Sequence, residues 1–190
     1  VSSAASDVYK RQEIVNLEQG ARIVHLKAGP FKTVKENLSR HIPEFIDELY
    51  RFQRQESTVY DLVHSHYWLS GRIGMTLSRK WNTPHVATFH TLGLTKLRAR
   101  AGEREPKQRL TIEGLIMRDV DSIIVSTDEE KQDAVRLYGA DTQKVAVVPA
   151  GVDLNTFQPV ERKLARERIR IHEKRIVLYV GRVEPLKGID

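Results

Sequence analysis

Short runs rich in valine and isoleucine alternate along this chain with segments whose apolar residues recur every three or four positions, and that alternation leaves few folds open. "ARIVHLKAG" reads as a strand closed by Gly29 and Pro30, and "YDLVHSH", "PHVATFH", "DSIIVST", "KVAVVPAG" and "RIVLYVGR" read as further strands. Between them, Leu38, Ile42, Phe45, Ile46 and Leu49 share one helical face. Leu69 to Lys80 predicts a second helix, and Ile112, Leu115, Ile116 and Val120 mark a third. Thr127 with Glu130 three residues later is a capping box, and Gly139 falls where that helix needs a left-handed cap. Continuous apolar strands alternating with helices mean an α/β fold with a parallel sheet covered on both faces.

The 190 residues suit one domain, or one and part of another. The opening "VSSAASDVYKRQ", residues 1–12, is small, polar and without period. It resembles the adapter-derived peptide found at the ends of translated metagenomic reads, with a native disordered tail as the alternative. Residues 13–155 form the expected first domain, which is incomplete. Residues 156–174 are charged and poor in large apolar groups, and read as a linker or surface helix. Residues 175–190 read as the beginning of a second α/β domain that contributes only its first strand, so the chain is expected to be a fragment. No apolar run approaches the roughly 18 residues of a membrane helix, and the start lacks a secretory pattern. There is no cysteine, which removes disulfides and thiolate chemistry. The expected compartment is the cytoplasm.

The net charge of +6, from 31 basic and 25 acidic residues, favours an anionic partner. Neither basic cluster, Arg98 to Arg109 or Arg162 to Arg175, interleaves with the aromatic residues of a single-strand-binding groove. A nucleic acid and a phosphorylated metabolite are both candidates at this point. Open α/β sheets bind ligands at the carboxyl ends of their strands. Those ends carry His64, His66, Tyr67, His90, Thr91, Ser126, Thr127, Gly151, Asp153, Gly181 and Arg182. His64 and His66 share a strand face, but no third ligand stands at metal-site spacing. The expectation is no metal, with one histidine packed and the other lining a cleft. His90, at a strand mouth, can meet a substrate hydroxyl or stabilise charge, and a packing role is the alternative. Gly181 clears space for a ligand, Arg182 can fork onto a phosphate, and Lys187 adds a point charge. The glycines fit neither a Walker loop nor a dinucleotide fingerprint, and two solvated surface cations remain the other reading.

"DLVHSHYWLSG", "TFHTLG", "VVPAGVDLNTFQP" and "GRVEPLKG", in that order, resemble retaining glycosyltransferases of the two-domain GT-B fold. The similar branch holds the inositol-phosphate glycosyltransferases and the sucrose-phosphate synthases. The resemblance runs from about residue 13 to the end. It implies two Rossmann-like domains, a nucleotide sugar, commonly a UDP-sugar, bound mostly by the second, and an acceptor bound by the first. It implies that Arg182 and Lys187 grip the donor diphosphate beside Gly181, and that His90 lies at the reacting centre. It assigns the acceptor phosphate to Lys35, Tyr67, Thr91 and Arg109, two cations and two hydroxyls that suit a phosphate. Such an acceptor explains the basic excess better than a nucleic acid does, so no nucleic acid is expected.

The implied reaction is glycosyl transfer with retention and no covalent intermediate, with the leaving diphosphate helping to deprotonate the acceptor. On this reading the two cations replace a metal, and no cofactor is needed beyond the donor substrate. Fructose 6-phosphate or a lipid-linked sugar are alternative acceptors, and an RNA- or anion-binding domain without catalysis is the alternative of another class. A homodimer is compatible. The family also has an N-terminal strand with a glycine-rich loop, and a downstream glutamate pair, that this stretch lacks. The parent is expected to be active and this stretch alone inactive.

Overall fold

The computed structural model describes residues 14–99, 104–181 and 183. They form two compact units. The first holds the described residues up to Thr88 together with Asp119–Asp121, and the second holds Phe89–Arg118 and the described residues from Ser122 onward.

The first unit opens on a hairpin. β1 (Ile14–Asn16) and β2 (Arg22–Val24) pair antiparallel, with Val15 opposite Ile23. The expected "ARIVHLKAG" strand is thus reduced to three residues and joins no parallel ladder with its neighbour. The physical reason is proximity, because closing a short loop costs little chain entropy and β1 stands just upstream. A 3₁₀ stretch, Lys35–His41, leads into α1 (Ile42–Glu56), which has proline in its first turn and Ser57 as a left-handed cap. β3 (Val63–His66) runs straight into α2 (Tyr67–Trp81), and β4 (His85–Thr88) returns parallel to β3, with Ser65 opposite Ala87.

The buried side of α2 carries Trp68, Gly71, Gly74 and Leu77. Gly74 has a packing purpose: a Cβ there would overlap the His85 ring, 2.7 Å from Cε1. His85 is 2% exposed, and its Nε2 shares a 2.8 Å hydrogen bond with the buried Ser65 hydroxyl. Its backbone N–H donates to Asp121 Oδ2, and its carbonyl accepts from the Asp121 N–H. Burial pushes the His85 pKa below its ordinary value, with Asp121 opposing and His64 adding to the shift.

The second unit contains α3 (Gly93–Ala99), α4 (Lys107–Asp119, whose last residue belongs to the first unit), β5 (Ser122–Val125), α5 (Asp128–Tyr138), β6 (Val145–Val147) and α6 (Arg162–Ile169). β5 and β6 are parallel, with Ile124 opposite Ala146. Ile112, Ile116, Met117, Ile123, Val125 and Ala134 form its core. The capping box is present in shifted form. Thr127 accepts the Glu130 N–H at 3.2 Å, while the Glu130 carboxylate accepts the N–H of Ser126. Gly139 ends α5 at φ 68°, as its position predicted. The charged stretch before residue 175 holds α6, which buries no residue and so is a surface helix.

The expected strand "RIVLYVGR" is corrected by the structure. Ile176 to Val180 form no strand, and Val177, Leu178 and Val180 are exposed. An apolar run becomes a strand only by pairing its backbone, and no ladder among the described residues includes it. The α/β class stands, with parallel β3–β4 and β5–β6 and helices between strands.

Candidate active site

His90 and Thr91 follow β4, and both are exposed while Phe89 and Leu92 on either side are buried. The apolar neighbours anchor the segment, and the polar pair is presented outward. Together with Leu92, Thr95, Lys96, Val125, Glu130 and Asp133 they line a cavity of about 140 Å³. Its polar rim is ordered: Thr95 donates to Asp133 Oδ2 at 2.7 Å.

Beneath this rim lies a buried ionic cluster. Arg109 is 2% exposed and Glu113 is 0% exposed. Arg109 Nε donates to Glu113 Oε1 and one terminal nitrogen donates to Glu105 Oε2, both at 2.7 Å. The other terminal nitrogen reaches the Thr91 carbonyl at 2.8 Å and its hydroxyl at 3.2 Å. Glu105 also accepts from the Lys96 ammonium. Burial raises the Glu105 pKa, but the bonds from Lys96 and Arg109 outweigh it and hold the carboxyl below its ordinary value. Glu113 Oε2 accepts the Gly93 N–H at 2.9 Å and the Tyr138 hydroxyl, and that hydroxyl accepts the Leu94 N–H at 2.9 Å. Burial and the bond to Glu113 push the Tyr138 phenol well above its usual range.

The four residues assigned to an acceptor phosphate fall into two pairs. In the first unit, Lys35 is exposed and its Nζ lies 5.8 Å from the centre of the Tyr67 ring, within cation–π range. Tyr67 adopts φ 75°, a left-handed conformation that a bulky aromatic residue rarely takes. Strain of that kind persists where surrounding structure overrules it, often at functional sites. In the second unit, Arg109 and Thr91 are bonded directly. Each nitrogen of the Arg109 guanidinium makes a bond to protein oxygen, so this arginine is built into the fold beneath Thr91.

His64 and His66 both stand exposed, with rings 4.3 Å apart. The expected division into one packed and one cleft-lining histidine does not hold, because alternate strand residues share a face and the buried residue between them is Ser65. His64 Nε2 shares a 2.8 Å hydrogen bond with Thr88 Oγ1. Among the described residues no group of three or more His, Cys, Asp or Glu is arranged to hold a metal ion. No helix among them is long and apolar enough to cross a membrane. Gly181 is exposed and lies against Tyr179, while Arg182 and Lys187 lie outside the described residues.

Sequence reasoning missed Glu105, Glu113 and Tyr138. The first two stand four residues on either side of Arg109, a spacing that reads equally well as a solvated helix face. Tyr138 is 44 residues from its partner Leu94, and nothing local announces it.

A Rossmann-like α/β fold with polar groups gathered after β4 is the N-terminal architecture of GT-B glycosyltransferases. Residues 6–156 match glycosyltransferase family 4, and the chain belongs to that family. It is similar to D-inositol 3-phosphate glycosyltransferase 2 of Catenulispora acidiphila, 39% identical over 93% of this chain and 42% of the relative. The D-inositol 3-phosphate glycosyltransferase of Geodermatophilus obscurus is 40% identical over 93% of this chain and 40% of its own length. The chain thus spans less than half the length of these relatives. Among solved structures, sucrose-phosphate synthase from Thermosynechococcus elongatus matches with TM-score 0.73 and 26% identity, over 85% of this chain and 40% of that one. Anabaena HepE in complex with UDP matches at TM-score 0.50 and 15% identity over 67% of this chain and 32% of that one, a likeness of fold. These matches place the chain in the GT-B branch expected from its motifs.

Proposed function

We propose that the whole protein transfers a sugar from a nucleotide sugar, a UDP-sugar, to a phosphorylated polyol or sugar such as inositol phosphate. The observation that supports this best is the exposed His90–Thr91 pair, held from below by buried Arg109 at the mouth of a polar-rimmed cavity. The relatives' shared name, D-inositol 3-phosphate glycosyltransferase, favours inositol phosphate as acceptor, and the sucrose-phosphate synthase likeness keeps fructose 6-phosphate as the second candidate.

In the proposed step the bond from the anomeric carbon to the diphosphate oxygen breaks, and a bond to the acceptor oxygen forms on the same face. The acceptor proton passes to the leaving diphosphate. His90 is the residue proposed to meet the donor sugar at the reacting centre. Arg182 and Lys187 are proposed to stabilise the departing diphosphate, charge stabilisation that accelerates the step because it strengthens as the charge develops. Lys35, Tyr67 and Thr91 are the proposed direct contacts of the acceptor phosphate, and Arg109 acts there through Thr91.

Nucleoside-diphosphate release by the full-length protein tests the reading. UDP-sugars are supplied alone, then with inositol phosphate, fructose 6-phosphate or unphosphorylated polyols. Release that requires one phosphorylated acceptor supports the proposal and names the branch. Release with none of these pairs overturns it.

A further inference from the structure

The segment that presents His90 and Thr91 continues directly into α3, and the start of that helix has an unusual solution to a general problem. The first N–H groups of any helix lack intrahelical partners. A nearby Ser, Thr, Asp or Asn side chain commonly satisfies one of them. Here the Gly93 N–H donates to Glu113 on α4, and the Leu94 N–H donates to the hydroxyl of Tyr138 at the end of α5. Tyr138 in turn donates to Glu113, and Glu113 accepts from Arg109, which holds the Thr91 carbonyl and hydroxyl. One fully buried carboxylate therefore fixes three points of this segment: Thr91 through Arg109, Gly93 directly, and Leu94 through Tyr138.

Gly93 is what permits this approach. A Cβ there would stand 2.6 Å from Leu110 Cδ2 and 3.1 Å from Glu113 Oε2. The Tyr138 hydroxyl suits its place because burial and Glu113 keep it protonated, so it can donate to the carboxylate and accept from Leu94 together.

We propose that Glu113 and Tyr138 are positioning residues for the acceptor side of the site, acting through Thr91, Gly93 and Leu94. The proposal rests on the transferase reading given above. Neither residue lines the cavity, so neither need touch a substrate. Their effect is to fix the rotamer and backbone of Thr91, and a small displacement there weakens any oxygen contact it makes.

The test uses the full-length protein with Tyr138→Phe, which keeps the ring and removes the shared hydroxyl. Amide exchange at Leu94 is expected to quicken at least tenfold. Exchange at Ile123 in β5, whose N–H donates to the Lys144 carbonyl, is expected to keep its rate, which separates local loosening from global unfolding. In turnover assays, kcat/KM for the phosphorylated acceptor is expected to fall about tenfold with the KM for the UDP-sugar unchanged. Glu113→Gln is expected to give the same split, and Tyr138→Phe keeps the test open should that buried variant fail to fold. Unchanged exchange at Leu94, or an equal loss for both substrates, overturns the proposal. Should the wild type release no diphosphate with any pair, the transferase reading falls, and exchange at Leu94 alone decides whether the brace stands.

Discussion

Arg109 has a structural task of its own, apart from any contact with a ligand. As a lone arginine near a phosphate site it would be a surface anion contact, and its removal would cost only ligand affinity. Instead it neutralises two carboxylates while almost completely buried. Removing one member of a buried ion cluster leaves its partners uncompensated, at a cost of about 3–5 kcal/mol. Arg109→Ala is therefore expected to lower the urea midpoint severely, whereas Thr91→Val, at an exposed position, should leave the midpoint nearly unchanged and weaken use of the acceptor. Equal stability losses for the two variants would contradict the cluster as described. His85 offers a second single-residue test. Its folded pKa is depressed by burial, so between that value and the ordinary 6.5 the unfolded chain binds more protons than the folded one. Stability is then full above pH 6.5 and declines as pH falls below it. Urea midpoints at pH 7 and pH 5 should show this decline in the wild type, and a smaller one in His85→Gln, which has no imidazole to protonate.

At the scale of elements, local signals were read well and distant pairings were not. α1 and α4 appear where apolar spacing put them, because amphipathic periodicity is set by residues within a few turns of one another. The cap of α5 was legible for the same reason. Thr127→Ala should cost about 1 kcal/mol, read as a lower melting temperature with no change at the site. Gly74→Ala is expected to destabilise more, by about 1–3 kcal/mol, because the new methyl meets a buried ring and not solvent. A melting temperature at or above that of the wild type would show that α2 can shift from His85 without loss. The hairpin of β1 and β2 was missed because Ile14–Asn16 is too short to signal a strand, and its partner then determined the pairing. α3 was also missed: its first turn is satisfied by side chains from other helices, so the usual capping sequence is absent. The site followed the same pattern. His90 and Thr91 could be found from their place after a strand, but the buried ions that hold Thr91 come from α4 and from Glu105 just before it, and the phenol joined to them comes from α5.

For the molecule as a whole, charge and apolar exposure pull in opposite directions. A net charge of +6 opposes self-association through repulsion between copies. Against it stands the run Ile176 to Val180, with neither a charge nor a proline and rich in β-branched residues. Val177 is 101% exposed, Leu178 78% and Val180 84%, so their apolar surface and backbone are offered to solvent. A short, uncharged, β-prone segment in that state pairs readily with another copy of itself. Repulsion between dispersed charges is screened within about 8 Å at physiological salt, whereas strand pairing acts at contact. The contact term should therefore win as ionic strength rises. The 190-residue chain is expected to show concentration-dependent association by sedimentation, stronger at 0.5 M than at 0.05 M salt. A chain ending at Lys174 should remain dispersed at both. If the two chains sediment alike, the run is protected by pairing within the molecule, and its strand character would be restored.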